Sequence, residues 1–261
     1  MTVSQKDRFG GIDRLYGLGA AELLSECHIM VVGIGGVGSW TAEALARSGV
    51  GKITLIDADD VCVTNINRQI VALDDTVGDA KIDVMDDRIA RINPDCEVVL
   101  HHQFVTLDNI PELIRDCDIV IDAIDAQMIK AAIIAHCKRQ KIRCVTVGSA
   151  GGKVDPRLVT SVDLAKTKND PLAAKVRGTL RNRFGFTRTE GKRFGVECVY
   201  STEQMAYPQP DGTVNGRKYI EDGVSKMDCS AGFGSITMVT ATFGMVSATR
   251  AIDIYLAKHR S

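Results

Sequence analysis

From Ile29 to Asp60 the chain reads IMVVGIGGVGSWTAEALARSGVGKITLIDADD. An apolar run of strand length, Ile29 to Val32, meets Gly33, Gly35 and Gly38 at GxGxxG spacing. A helical stretch near Val37 to Arg47 follows, and a second apolar run ends at Asp57. This succession commits the chain to strand, tight loop, helix and parallel strand. Parallel strands need a crossover, and glycine lets the loop's backbone N–H groups approach a phosphate at the positive end of the helix. Asp57, ending the second strand, is placed to accept hydrogen bonds from ribose hydroxyls, a role that suits NAD, FAD and ATP equally.

The same alternation continues. HIMVVG, KITLID, CEVVLHH, DIVIDAI and RCVTVGSA read as strands, with helical stretches near Val37 to Arg47, Asp79 to Ile92 and Gln127 to Gln140. Strands alternating with helices predict an α/β fold: a Rossmann-like, doubly wound, mainly parallel sheet covered on both faces. The pattern fades after about Gly152, where VDLAKTKNDPLAAKVRGTLRNRFGFTRTEGKRFG is polar and turn-rich and predicts a basic, partly irregular insertion before a C-terminal helix. No internal repeat or low-complexity tract is present. The expectation is one domain over 1–261, with a nucleotide-binding half in 1–152 and a substrate-binding and C-terminal elaboration in 153–261. At 45% apolar residues the chain can fill such a core.

A net charge of -1 gives no global field toward nucleic acid or anionic lipid, so such a partner needs a local patch. Eight cysteines include no CxxC pair, and the opening MTVSQKDRFGG is polar, which points to reduced thiols, a cytoplasmic location and no zinc. Cys229 to Thr249 carries no charge over a bilayer-spanning length, but it is rich in Gly, Ser and Thr, and a buried helix is the reading taken over a membrane span.

The glycine loop alone does not choose its nucleotide. No tyrosine is followed four residues later by lysine, as a short-chain dehydrogenase requires, and no GK[ST] triplet marks a P-loop. The second strand instead runs into DADDVCVTNINRQI, then VGDAKIDVMDDR, and DIVIDAIDA closes the fourth strand. These segments place Asp57, Asn65, Arg68, Lys81 and Asp125 at the carboxyl edge of the sheet, where ligands of open α/β folds bind. A ribose acid, an amide, two cations and a second acid make a triphosphate site. The cations offset charge at an attacked phosphorus, and Asp125 can hold magnesium against the phosphates.

On GIGGVG, LIDADDVCVTNINRQ, VGDAK and DAID the chain resembles the adenylating enzymes related to ubiquitin activators and to the activators of sulfur carriers for molybdopterin and thiamin. FGGIDRLYG, VDLAKTKNDPLAAKVR, YSTEQMAYPQPDGT and KMDCSAGFGSITMVTATFG extend the resemblance, over nearly the whole chain, to the branch of tRNA threonylcarbamoyladenosine dehydratases. The resemblance implies ATP-dependent cyclisation of the threonylcarbamoyl side chain beside a tRNA anticodon: adenylation of its carboxylate, loss of pyrophosphate, then ring closure with loss of AMP. The alternative is adenylation of a ubiquitin-like sulfur carrier.

Residue by residue, the resemblance implies that Gly33, Gly35, Gly36 and Gly38 hold the nucleotide with Asp57 and Asp59, that Asn65, Arg68 and Lys81 take the phosphates, and that Asp125 takes magnesium. Arg14 matches an arginine that enters the partner's site, which implies a homodimer. A monovalent cation at that interface and a cysteine desulfurase or sulfur-acceptor partner stay open, as does a reactive role for Cys229, since cyclisation of an acyl-adenylate needs no thioester. With the resemblance, Lys175, Arg177, Arg181, Arg183, Arg188, Lys192 and Arg193 become the RNA-binding segment, with Phe184, Phe186 and Phe194 as stacking platforms for unpaired bases.

Overall fold

The computed structural model describes residues 4–217 and 233–260. Seven strands form one sheet: β1 His28–Val32, β2 Lys52–Ile56, β3 Glu97–His101, β4 Ile119–Asp122, β5 Arg143–Val147, β6 Val159–Asp163 and β7 Glu197–Ser201. Their order is β3-β2-β1-β4-β5-β7-β6. Every pairing is parallel except β6 with β7, which is antiparallel at the edge. Val32 pairs with both Ile56 and Asp122, so β1, β2 and β4 end level at one crest.

The helices are α1 Gln5–Tyr16, α2 Ala20–Ser25, α3 Gly38–Arg47, α4 Lys81–Ile92, α5 Ile110–Leu113, α6 Gln127–Gln140, α7 Pro171–Arg183 and α8 Thr237–His259. Strand side chains alternate between two cores, as the period of two demands. Ile29, Val31, Ile53 and Leu55 face α3, α4 and α8 through Ala42, Leu45, Met85 and Phe243, whereas Met30, Val32 and Ile56 face α6 and α7 through Ala131, Ile134, Val176 and Leu180. A short hairpin of β8 Tyr207–Pro208 and β9 Val214–Asn215 turns at Gly212, whose φ of 80° suits glycine.

The segment after Gly152 is more regular than its composition predicts. It contributes β6, α7 and β7 to the main sheet and its cover. Asp170 accepts the Ala173 N–H as N-cap of α7, with Pro171 in the first turn, so the helix start is written in local residues that the fading periodicity hid. The C-terminal helix runs from Thr237 to His259, later than the uncharged stretch that announced it, and ends in a charged tail. Among the described residues no helix is long and apolar enough to cross a membrane.

Candidate functional site

Beyond the carboxyl ends of β1 and β2 the glycine loop is held from three sides. Gly33 has a φ of 87°, and a side chain there would meet Ile124 at 2.9 Å and the Ala123 backbone at 3.3 Å. At Gly38 the closeness is absolute, since a Cβ would lie 1.7 Å from the Gly33 carbonyl oxygen. At Gly35 nothing lies within 4 Å, leaving a clear space over the loop. The helices that start at this crest, α3, α4 and α6, have no side-chain cap. Apart from those of Ser39 and Lys81, which donate to the Gly35 and Asp59 carbonyls, first-turn N–H groups at such a crest can serve a ligand anion.

Asp57 builds the loop as well as facing it. One carboxylate oxygen accepts the Ile34 N–H at 2.5 Å and the other the Asp59 N–H at 2.9 Å, which ties the end of β2 to the glycines. Lys81 is the first residue of α4 and is buried to 5% exposure, its ammonium 2.8 Å from the Asp59 carboxylate. A solvated helix lysine would not sit so. Asn65 is buried and accepts the Cys62 N–H at 3.1 Å, closing a 3₁₀ turn. Arg68 lies along the loop, with its side-chain carbons 3.5 Å from where a Gly36 Cβ would stand, and it donates to the Thr64 carbonyl at 2.7 Å. Among the described residues it has no carboxylate partner. Asp125 is exposed on the turn from β4 into α6.

The N terminus of α8 clasps this arrangement. Thr237 donates to the Asn67 carbonyl at 2.5 Å, Thr240 bonds the Arg68 carbonyl at 3.2 Å, and the methyl group of Thr240 stands 3.2 Å from the place of a Gly36 Cβ. Only folding brings this segment to the loop, and the sequence pattern carries no sign of it. Cys62, also unmarked, is exposed on the same crest. The Thr64 hydroxyl at 3.3 Å and the Thr64 N–H hold its thiol below the ordinary thiol range, with smaller help from Lys81 and Arg68.

Arg14 is not brought to this crest in its own chain. α1 docks where the chain enters β2 and β3: Phe9 packs on Gly49, and Arg8 donates to the Ile92 carbonyl at 3.1 Å. Arg260, past the end of α8, donates to the Gly17 carbonyl at 3.0 Å. Since α8 starts at the crest and its 23 residues span about 35 Å, Arg14 stands at the opposite edge of the sheet. Cys229 lies outside the described residues.

The basic segment divides. Lys175, Arg183, Arg188 and Lys192 are exposed and without a carboxylate partner among the described residues. Arg177 is half-buried and donates to the Thr167 hydroxyl; burial, then the charge of Arg181, lowers its pKa. Arg181 stacks over the Phe194 ring at 5.4 Å, and Arg193 pairs with Asp163 at 3.6 Å. The aromatic expectation fails. Phe194 is 3% exposed, Phe186 meets it edge-on at 5.0 Å, and Phe184 packs on the same core. These rings spend their surface on the protein interior, where it is worth more than in a solvated loop.

Nor is that segment the one basic concentration. Arg8, Arg47, Arg88 and Arg91, from α1, α3 and α4, surround a cavity of about 500 Å³ beside Phe9. Two of them share the buried Glu43, at 2.8 Å from Arg47 and 3.1 Å from Arg88. Two further ion pairs are fully buried, Lys130 with Asp122 at 2.9 Å and Lys153 with Asp170 at 3.3 Å. Among the described residues no group of three or more His, Cys, Asp or Glu side chains could by itself enclose a metal ion.

Residues 12–261 match the ThiF family. The chain is 55% identical over 254 residues to the tRNA threonylcarbamoyladenosine dehydratase of Escherichia coli K12, covering 97% of this chain and 95% of that one. Solved structures of the E. coli tRNA N6-threonylcarbamoyladenosine dehydratase superpose closely. The complex with ATP gives a TM-score of 0.87 at 49% identity, covering 100% of this chain and 99% of that chain. The complex with AMP gives 0.87 at 50% identity, covering all of both.

Proposed function

Because this chain belongs to the ThiF family, and within it groups with the tRNA threonylcarbamoyladenosine dehydratases, we propose that it uses ATP to cyclise the threonylcarbamoyl side chain of a modified adenosine in tRNA. The observation that carries this reading is Arg68. Its side-chain carbons run along the glycine loop and its guanidinium is free of any carboxylate among the described residues, on the same crest as a lysine whose ammonium is already desolvated. Such a pair serves a phosphate chain and has no part in hydride transfer.

The reaction follows from what the site holds. At neutral pH the threonyl carboxylate is already a nucleophile, so no general base is needed for the first step. One carboxylate oxygen bonds to the α-phosphorus as the bond from that phosphorus to the bridging oxygen breaks and pyrophosphate leaves. A nitrogen of the carbamoyl side then bonds to the acyl carbon and loses its proton, and AMP departs with the former carboxylate oxygen. The substrate thereby loses one water. Arg68 and Lys81 offset the charge that gathers on the phosphates, while Gly35, Gly36 and the uncapped start of α3 supply N–H donors. Asp57 takes the ribose and keeps the loop in shape. Asp125 suits magnesium, which binds through one or two carboxylates plus substrate phosphates and so needs no protein cage; when bound it neutralises the departing pyrophosphate.

Arg14, far from its own crest, acts in this reading on the site of a second copy, making the enzyme a homodimer. The test is incubation of tRNA carrying the modification with ATP and magnesium. Release of AMP and pyrophosphate, with loss of one water from the modified nucleoside by mass spectrometry, is the expected result. ADP and phosphate as products would overturn the mechanism. Adenylation of a sulfur-carrier tail, with tRNA inert, would install the alternative.

A further inference from the structure

Past the carboxyl ends of β5 and β7 lies a cavity of about 430 Å³, lined by Asn169, Asp170, Arg177, Gln204, Met205 and Tyr207 among others. We propose that this cavity receives the modified adenine base of the substrate, a deeper assignment that rests on the tRNA reading above.

The walls have the chemistry a purine needs. Tyr207 meets Phe233 edge-on at 5.4 Å, and the buried Met205, on the same lining, packs against Gly152. Gln204 is exposed, and its amide has no hydrogen-bond partner among the described residues. Asn169 donates to the Thr202 carbonyl at 3.1 Å and keeps its own carbonyl oxygen available. Arg177 adds a half-desolvated cation. Flipped or unpaired bases are read in this way, by stacking on a ring and by amide contacts to the base edge.

The cavity is rigid and tied to the nucleotide crest. Asp170, fully buried, accepts the Ser149 N–H at 2.9 Å, the Ala173 N–H at 2.8 Å and the Lys153 ammonium at 3.3 Å. The loop after β5 is pinned on both sides: Gly152 donates to the Gly234 carbonyl at 2.7 Å and accepts from Ala206 at 2.8 Å. From Gly234 the chain passes to Ser235, whose carbonyl accepts from Asn67 at 2.8 Å next to Arg68. One continuous set of contacts therefore joins the cavity wall to the phosphate cations.

The distances also agree. With strands about 4.8 Å apart, the ends of β5 and β7 stand roughly 7 and 12 Å from the cleft between β1 and β4. A threonylcarbamoyl arm reaches about 5 Å from the adenine amino nitrogen by ordinary bond lengths, and the ring itself covers a comparable span. An adenine seated against Tyr207 thus directs its carboxylate toward the α-phosphate. α7 leads away from the cavity to Arg183, Arg188 and Lys192, about 20 Å along its axis, where the flanking backbone of an anticodon loop would lie.

The experiment compares two anticodon stem-loops, with and without the threonylcarbamoyl group, for binding to ATP-loaded wild type, Tyr207→Ala and Gln204→Ala, with pyrophosphate release recorded alongside. Wild type is expected to prefer the modified loop by roughly tenfold. Tyr207→Ala is expected to bind both loops roughly tenfold more weakly, the effect of removing one stacked base, and, with the base no longer seated, to lose the preference as well. Gln204→Ala, on an exposed side chain without a hydrogen bond among the described residues, is expected to lose part of it with ATP affinity unchanged. A full preference retained by both variants, with pyrophosphate release intact, overturns the cavity assignment and leaves the adenylation reading standing. No pyrophosphate release from wild type with either loop overturns that reading, and the cavity assignment with it.

Discussion

Cys62, exposed on the crest with Lys81 and Arg68, offers a chemical reporter of the proposed nucleotide site. Its thiol is held below the ordinary value of 9.0 by the Thr64 hydroxyl and N–H, so its thiolate fraction at a given pH exceeds that of a free cysteine. Burial pushes Cys96 and Cys117 up to about 12 and Cys27 and Cys198 higher still, while the hydrogen bond with Cys137, then burial, raises Cys144 well above its ordinary value. Because the thiolate is the attacking form, iodoacetamide at pH 7.5 is expected to modify Cys62 before the other described cysteines, and the rate should rise with pH through a midpoint below 9. ATP should slow labelling, since Cys62 shares the crest with Lys81 and Arg68. Peptide mapping with and without ATP checks this; equal labelling of Cys62 in both samples would separate the thiol from the nucleotide.

Within the strand, loop and helix unit the glycines divide by what surrounds them. Gly38→Ala sets a methyl group 1.7 Å from the Gly33 carbonyl oxygen, and neither backbone can yield without moving α3 from β1. Loss of about 3 kcal/mol or more is expected, at the upper end of overpacking costs, seen as a large drop in Tm or as failure to fold. Gly35→Ala meets nothing within 4 Å. Its Tm should stay within about 2 °C of wild type, as for substitutions that touch no neighbour, while ATP affinity falls because the methyl group occupies the nucleotide's space. Calorimetry and nucleotide titration on the two variants separate the roles. Wild-type ATP affinity in Gly35→Ala would mean that this face of the loop is not the nucleotide face.

Across the molecule, Arg14 and Lys81 occupy opposite edges of one chain, so their cooperation requires two copies. Mixing inactive Arg14→Ala with inactive Lys81→Ala subunits is expected to restore about a quarter of wild-type activity, since random pairing makes half the molecules hybrid and each hybrid has one intact site. No recovery after verified subunit exchange would leave Arg14 outside any site. For the proposed RNA surface, Arg183, Arg188 and Lys192 are, with Lys175, the cations of the basic segment that are exposed and free of carboxylates among the described residues, whereas Arg177, Arg181 and Arg193 are engaged within the protein. Replacing the first three by alanine should weaken tRNA binding and reduce its log–log salt slope by nearly one unit for each phosphate that is no longer neutralised, with ATP affinity unchanged. An unaltered slope would shift attention to the cavity ringed by Arg8, Arg47, Arg88 and Arg91.

The parallel sheet and its crest were legible because their determinants are local: apolar runs of strand length, glycines at loop spacing, and helical periods between them. The polar residues at strand ends followed, since in such a sheet they can only stand at the carboxyl edge. Asp57, Arg68 and Lys81 were placed at that edge from the sequence, although the burial of Lys81 against Asp59 was not legible there. Periodicity failed after Gly152, where α7 opens at the polar cap Asp170 and a basic, turn-rich stretch separates it from β7, and the linear sequence misplaced Phe186 and Phe194, because it does not say which side of a loop meets a core. The clasp of α8 on the glycine loop, the four-arginine cavity drawn from three helices, the distance of Arg14 from its own crest, and the cavity at Tyr207 all arise from residues far apart in the chain. Their positions depend on how the helices cross the sheet, and that is settled by packing between distant segments.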